Sequence, residues 1–238
     1  MDDTTASEIV SKGDQSNAQA IADRVADWSR KNRAKLNNDK CKDARIIDGS
    51  NARIIDGENI KVVDSAKLLG LTISNDLTWN AHITKAIKKA SKRLYFLIQL
   101  KRANVSESDL SRFYTASVRS VLDYAAPVFH YALPKYLLSE LERIQKRALR
   151  IICPYMEYHH ALSRLGLSTI AEHHDNICKR TFESIVSDSQ HKLRKLLPPA
   201  FSTRFNLRRP RTYSLPHCKT NRFKNSFLMA SCHQADRS

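Results

Sequence analysis

Glycine is scarce in this sequence, five among 238 residues, and the cysteines form no CxxC pair. The five thiols (Cys41, Cys153, Cys178, Cys218 and Cys232) are odd in number and widely scattered. That pattern argues against a disulfide framework or a paired-thiol zinc module and suits free thiols in a reducing cytoplasm or nucleus. No apolar stretch has the form of a signal peptide. None approaches the ~18 residues of a membrane span. The expectation is a chain that is neither secreted nor embedded in a membrane.

What is present favours helices. Apolar residues make up 42% of the chain and can supply a core, while charged residues reach 27% and Ala, Leu, Lys and Arg abound. The length suffices for one domain or two small ones. Net charge is +16, and its distribution says more than the total. Residues 1–60 carry 10 Lys and Arg against 11 Asp and Glu, residues 61–189 carry 19 against 12, and residues 190–238 carry 11 against 1. Positive charge therefore accumulates towards the C-terminus, as suits a polyanionic partner, most often nucleic acid. The same charges could serve solubility alone.

Apolar periodicity organises the chain. Ala20, Ile21, Val25 and Trp28 predict a helix over 18–31. Two octapeptides follow in tandem, Ala44 to Asn51 and Ala52 to Asn59, each containing Ile-Ile-Asp-Gly. A β-branched pair before a turn signal reads as part of a hairpin, and two copies are too few for a solenoid. Residues 60–73 read as one or two strands broken at Gly70. Beyond them Ile83, Ile87, Ala90, Leu94 and Leu97 form one helical stripe, with Lys85, Lys88, Lys89, Lys92 and Arg93 on the remaining surface. Ser106 and Asp109 can cap a second helix with Leu110, Phe113, Tyr114, Val118, Val121 and Tyr124 inside, stopping near Pro127. Pro134 suits the first turn of a third, whose inner stripe is Leu138, Leu141, Ile144, Ala148 and Ile152. Its outer face carries Arg143, Lys146, Arg147 and Arg150. Gly166 closes a short helix, and Thr169 with Glu172 has capping-box spacing for a last helix over about 170–187. After Pro198 the period fades into a basic, mostly irregular tail.

An ordered series of short motifs runs through these elements: Asp2-Asp3, Trp28-Ser-Arg-Lys-Asn32, Leu36-Asn-Asn-Asp-Lys-Cys41, Leu68-Leu-Gly-Leu71, Asp76-Leu-Thr-Trp79 and His82-Ile83. Val121-Leu-Asp-Tyr-Ala125, Leu141 to Leu149, Leu165-Gly-Leu-Ser-Thr169 and Phe205-Asn-Leu-Arg-Arg209 continue it. The series resembles the end of the palm, the thumb and the post-thumb region of LINE-type, jockey-like non-LTR retrotransposon reverse transcriptases. The resemblance implies an RNA-directed DNA polymerase family. Asp2 and Asp3 would be its paired carboxylates, with Asp2 ligating Mg²⁺, and Lys40 would lie near the pyrophosphate. Leu68, Leu69 and Gly70 would form a primer-grip-like turn, and the lysine-rich helix would track a template–primer duplex. A second resemblance, over about 70–131, is to the small helical N-terminal domain of AlkB-type alkylated-DNA-repair homologues. Neither His-x-Asp iron ligands nor a glycine-rich nucleotide loop accompanies it.

The expected architecture is mainly α with a small β-hairpin region (α+β). A partial palm covers 1–79, a thumb-like and post-thumb helical domain 80–188, and a basic tail 189–238. The expected function is that of a truncated reverse-transcriptase fragment, non-catalytic alone and retaining no cofactor, that still binds nucleic acid without sequence preference. Phosphate contacts are assigned to Lys85, Lys88, Lys89, Lys92, Arg93, Arg143, Lys146, Arg147, Arg150, Arg204, Arg208, Arg209 and Arg211. The alternative is a non-catalytic helical interaction module. Purified chain with Mg²⁺ or Mn²⁺ is expected to add no nucleotide to a primed template. Incorporation that disappears in an Asp2→Ala, Asp3→Ala double variant would refute this.

Overall fold

A computed structural model of the chain describes residues 5, 8, 16–34, 36–37, 41–44, 54–55, 58–201 and 212–236. The chain is mainly α-helical with a small β region, and it divides into two compact units, 1–78 and 79–238. No helix among the described residues is long and apolar enough to cross a membrane.

The first unit holds α1 (Ala18–Lys31) and six short strands, β1 (Lys42–Ala44), β2 (Ile54–Ile55), β3 (Glu58–Asn59), β4 (Lys61–Val63), β5 (Ser65–Leu68) and β6 (Leu71–Ser74). Helix α1 has the expected bounds but a rotated inner face. Ala26 and Ser29 are buried and Trp28 is 57% exposed. Ser29 Oγ donates to the Ala34 carbonyl at 2.6 Å, which fixes the end of this helix. The second octapeptide forms a minimal hairpin, Ile54 opposite Asn59 and Ile55 opposite Glu58, whereas residues 45–51 of the first copy lie outside the described residues. Strand β1 pairs with β4 in parallel, a geometry that needs a connection of a dozen or more residues. The tandem repeat supplies that length.

Strands β5 and β6 form an antiparallel hairpin with Leu68 opposite Leu71. Leu69 (φ +46°) and Gly70 (φ +86°) make its two-residue turn. Positive φ at both central positions matches the right-handed twist of the strands; Gly70 adopts it freely, while Leu69 does so against its Cβ. After β6, the Asp76 carboxylate accepts from Ser74 Oγ at 2.5 Å, Thr78 N at 2.9 Å and Thr78 Oγ1 at 3.0 Å. The bond from Ser74, then those from Thr78, hold its carboxyl below the ordinary carboxylate range. Asp76-Leu-Thr is thus a self-bonded turn.

The second unit is helical: α2 (Asn80–Arg102), α3 (Glu107–Phe113), a π-helical segment (Tyr114–Arg119), α4 (Ser120–Asp123), α5 (Ala126–Phe129), α6 (Lys135–Ile152), α7 (Tyr158–Leu165), α8 (Ile170–Ser187), α9 (Asn221–Lys224) and α10 (Phe227–Ala235). Helix α2 packs on α6, α4 and the π segment, and α8 packs on α5, α6 and α10. Three expected terminators are present. Ser106 Oγ accepts from Asp109 N, Thr169 and Glu172 form a complete capping box, and Gly166 closes α7 at φ +63°. Pro134 stands at the N-cap of α6, immediately before its first turn.

The π segment has a legible cause. Leu110, Tyr114, Val118, Leu122 and Ala126 are all buried, and they recur every four residues. An α-helix of 3.6 residues per turn would rotate such a row by about 40° at each step. The wider i→i+5 turn absorbs that drift. Carbonyls in and beside it take side-chain donors: Ser111 O from Thr115 Oγ1 (2.7 Å), Ala116 O from Ser120 Oγ (2.6 Å) and Ser117 O from Arg93. Phe113, Val121 and Tyr124, expected inside, are only partly buried or exposed, because the four-residue row replaces the ordinary stripe.

At the centre Gln145 is fully buried. Its carbonyl accepts from Tyr114 Oη at 2.7 Å, and its amide donates to Tyr158 Oη and to the Ser168 carbonyl, each at 3.0 Å. Tyr158 Oη donates in turn to Glu142, whose second oxygen accepts from Ile170 N at 2.9 Å. Burial first, and the Glu142 bond second, push the Tyr158 phenol up. The tail is not wholly irregular. Met229, Ser231 and Cys232 of α10 are buried, and Gln234 Oε1 accepts from Tyr131 Oη at 2.9 Å. Gln145→Leu is expected to lower unfolding free energy by about 3 kcal/mol, since it strands buried partners on three elements. Denaturant midpoints check this, and a loss below about 1 kcal/mol would remove Gln145 from that role.

Candidate nucleic-acid interface

The positive charge expected to meet phosphate stands on α2. This helix holds seven Lys and Arg and no Asp or Glu in 23 residues. Its buried side is Ile83, Ala86, Ala90, Leu94 and Leu97, so packing fixes which residues face outward. Lys85, Lys88, Lys89 and Lys92 are exposed along one face. Among the described residues no ion pair involves Lys88, Lys89 or Lys92. Arg93 differs from its neighbours. Its guanidinium donates to the Ser117 carbonyl and ties α2 to the π segment. At the far end Lys101 Nζ donates to the Ile152 carbonyl at 2.9 Å, joining α2 to the last turn of α6.

The second basic face is more compensated. Arg143, Lys146, Arg147 and Arg150 are exposed on α6, but Arg143 pairs with Glu140 at 2.6 Å. Lys146 Nζ sits 5.2 Å from the centre of the Tyr158 ring, in cation–π range. The remaining assigned positions, Asp2, Asp3, Lys40, Arg204, Arg208, Arg209 and Arg211, lie outside the described residues. Leu68, Leu69 and Gly70 stand in the β5–β6 hairpin, with Leu69 84% exposed at its tip. Among the described residues no group of three or more His, Cys, Asp or Glu could hold a metal ion.

The interior polar groups are engaged with one another. Asp123 Oδ1 lies 3.0 Å from His174 Nε2, Asp123 Oδ2 lies 3.1 Å from His173 Nε2, and the buried Arg119 Nε is 3.8 Å from Asp123 Oδ2. His174 is fully buried. His130 packs edge-on to it at 5.5 Å between ring centres. Burial, reinforced by His174, pushes the His130 imidazole down to about 4, and burial followed by Arg119 lowers His173. The buried thiols of Cys178 and Cys232 are equally unsuited to nucleophilic work, since burial pushes the first up to about 12 and the second up to about 11. His173-His174 therefore anchors α8 to Asp123 of α4.

Sequence reading missed a groove beside the lysine stripe. Phe96 and Leu100 of α2, with Ala103 just beyond its end, face Phe113 of α3 and Ala116 and Ser117 of the π segment, around a volume of about 800 Å³. Phe96 is 57% exposed and meets Tyr95 edge-on at 5.8 Å. The available signal was Tyr95-Phe96 itself, two aromatics that fall outside the stripe through Ile83, Ala90 and Leu97.

These helices form a basic module whose outward cations stand on two helical faces, those of α2 and α6. Comparison with known proteins then adds a local likeness. Residues 79–120, which hold α2, α3 and the π segment, match the family model for the N-terminal domain of alkylated DNA repair protein alkB homolog 8. No curated protein and no solved structure matches the chain.

Acidification is expected to destabilise the protein through the His130 imidazole. An unfolded His titrates at about 6.5, whereas His130 is held down to about 4 in the fold. Between those values the unfolded chain binds more protons, so stability is full above the unfolded value and falls as pH drops through the window. Thermal midpoints measured from pH 7 to pH ~4.5 should decline, and less steeply in His130→Leu. Equal slopes in the two proteins would show that His130 does not contribute.

Proposed function

We propose that this chain is a C-terminal portion of a LINE-type reverse transcriptase that grips nucleic acid through phosphates, without sequence preference and without polymerising alone. The observation that supports it most is the acid-free helix α2, with lysines along one exposed face and its other side set in a packed core. Ammonium groups held this way neutralise backbone phosphates, which position a protein but carry no sequence information. The Arg143–Arg150 face of α6 is a weaker second contact, because Glu140 and the Tyr158 ring already engage two of its cations. The Leu69–Gly70 hairpin corresponds in this reading to the primer grip.

A second reading is a helical interaction module that binds another protein. The match of residues 79–120 to the N-terminal domain of an AlkB homologue favours it. Salt dependence separates the two. Affinity for duplex DNA should fall linearly in log–log form with salt, by roughly 0.9 for each phosphate neutralised. Lys88→Gln, Lys89→Gln and Lys92→Gln together should flatten that slope by about 2 to 3 while Arg93 keeps its structural bond. An unchanged slope would mean that α2 only faces solvent, and salt-insensitive or absent binding would favour the protein-binding reading.

A further inference from the structure

Helix α2 changes character along one face. At 3.6 residues per turn Lys85, Lys89, Lys92, Phe96, Gln99 and Ala103 follow one another along a single seam. The first half of that seam is cationic, and the second half forms one wall of the groove with Phe113 and Ala116 opposite. We propose that this groove receives the unpaired bases of a single strand whose adjoining phosphates lie on the lysines. The inference rests on the nucleic-acid reading above and adds to it a subsite for unpaired bases.

The geometry of the groove carries the argument. Lys92 and Phe96 are one helical turn apart, about 6 Å along the axis, so a strand held at the lysines brings its next bases to the ring. Exposed aromatic faces beside a cationic track are how proteins hold unpaired bases without reading their sequence. Phe96 and Phe113 supply the faces, and Gln99 and Ser117 offer polar atoms to base edges at the rim. Arg93 closes one side, its guanidinium held by the Ser117 carbonyl rather than left to swing. Charge decides the kind of occupant. With no acidic residue on α2 to repel phosphate, the groove continues a polyanion track. The π segment places Ala116, a short side chain, across from Phe96 and keeps the groove open.

The test compares a blunt DNA duplex with the same duplex carrying a short oligothymidine overhang, by fluorescence anisotropy. The full chain should bind the overhang form about tenfold more tightly. Phe96→Ala and, separately, Ala116→Phe should abolish the preference while leaving blunt-duplex affinity and its salt slope unchanged. Both positions are exposed, so neither change touches the core. Equal binding of the two duplexes with a steep salt slope would overturn the groove and leave the phosphate grip intact. Weak, salt-insensitive binding to both would overturn the grip and the groove together. An overhang preference that survives in both variants would place the single strand elsewhere. Displacement of the overhang by an acidic amphipathic peptide, with no overhang preference over blunt duplex, would assign the groove to a protein partner instead.

Discussion

Gln145 holds three parts of the helical unit in one hydrogen-bonded chain. Tyr114 donates to it from the π segment, and it donates onward to Tyr158 at the start of α7 and to Ser168 ahead of α8. Every link is directional, so the elements cannot slide past one another without breaking a buried bond. Glu142 extends the chain by accepting from Tyr158 and from the first amide of α8. A carboxylate at a helix N-terminus also meets the positive end of the helix dipole. The apolar rows around this chain supply adhesion, but the polar bonds decide the register in which they meet.

That register fixes the basic face. Because α2 packs on both α6 and the π segment, its lysines are presented by a rigid scaffold rather than by a loop. Arg93 and Lys101, two of its cations, are used internally, one on the Ser117 carbonyl and one on the Ile152 carbonyl. The basic helix thus divides its charges between holding itself in place and facing outward. The α6 face makes a different division, with Arg143 and Lys146 engaged by Glu140 and Tyr158. Two helical faces that look alike in sequence are electrostatically unlike once folded.

Much of this was legible before folding. The stripe through Ile83, Ala90, Leu94 and Leu97 located α2, and Ser106, Thr169 and Gly166 marked ends through their capping chemistry. Trp28 was misplaced because a bulky apolar residue weighs on any periodicity argument, while the true inner face of α1 runs through Ala26 and Ser29. Gln145 was passed over because a polar residue on an apolar stripe gives no sign of its partners, which stand 13 to 31 positions away. Helix α10 was hidden by the prolines and arginines before it, although Phe227, Leu228 and Met229 carry the apolar signal. The groove needed two helices at once, and periodicity sees one at a time.

The π-helical segment makes chain length itself a structural variable. Between Leu110 and Ala126 the buried row advances by four residues at each step, and the wide turn at Tyr114–Arg119 keeps it in phase. Closing that turn into an ordinary α-helix at the same chain length would rotate everything beyond by about 100°. Arg119 and Asp123 would swing away from Ser168 and from the paired histidines of α8, which they now meet. Substitutions on the outer side of this stretch leave the buried row in phase, whereas an added residue does not. The segment behaves as a reading frame written in three dimensions.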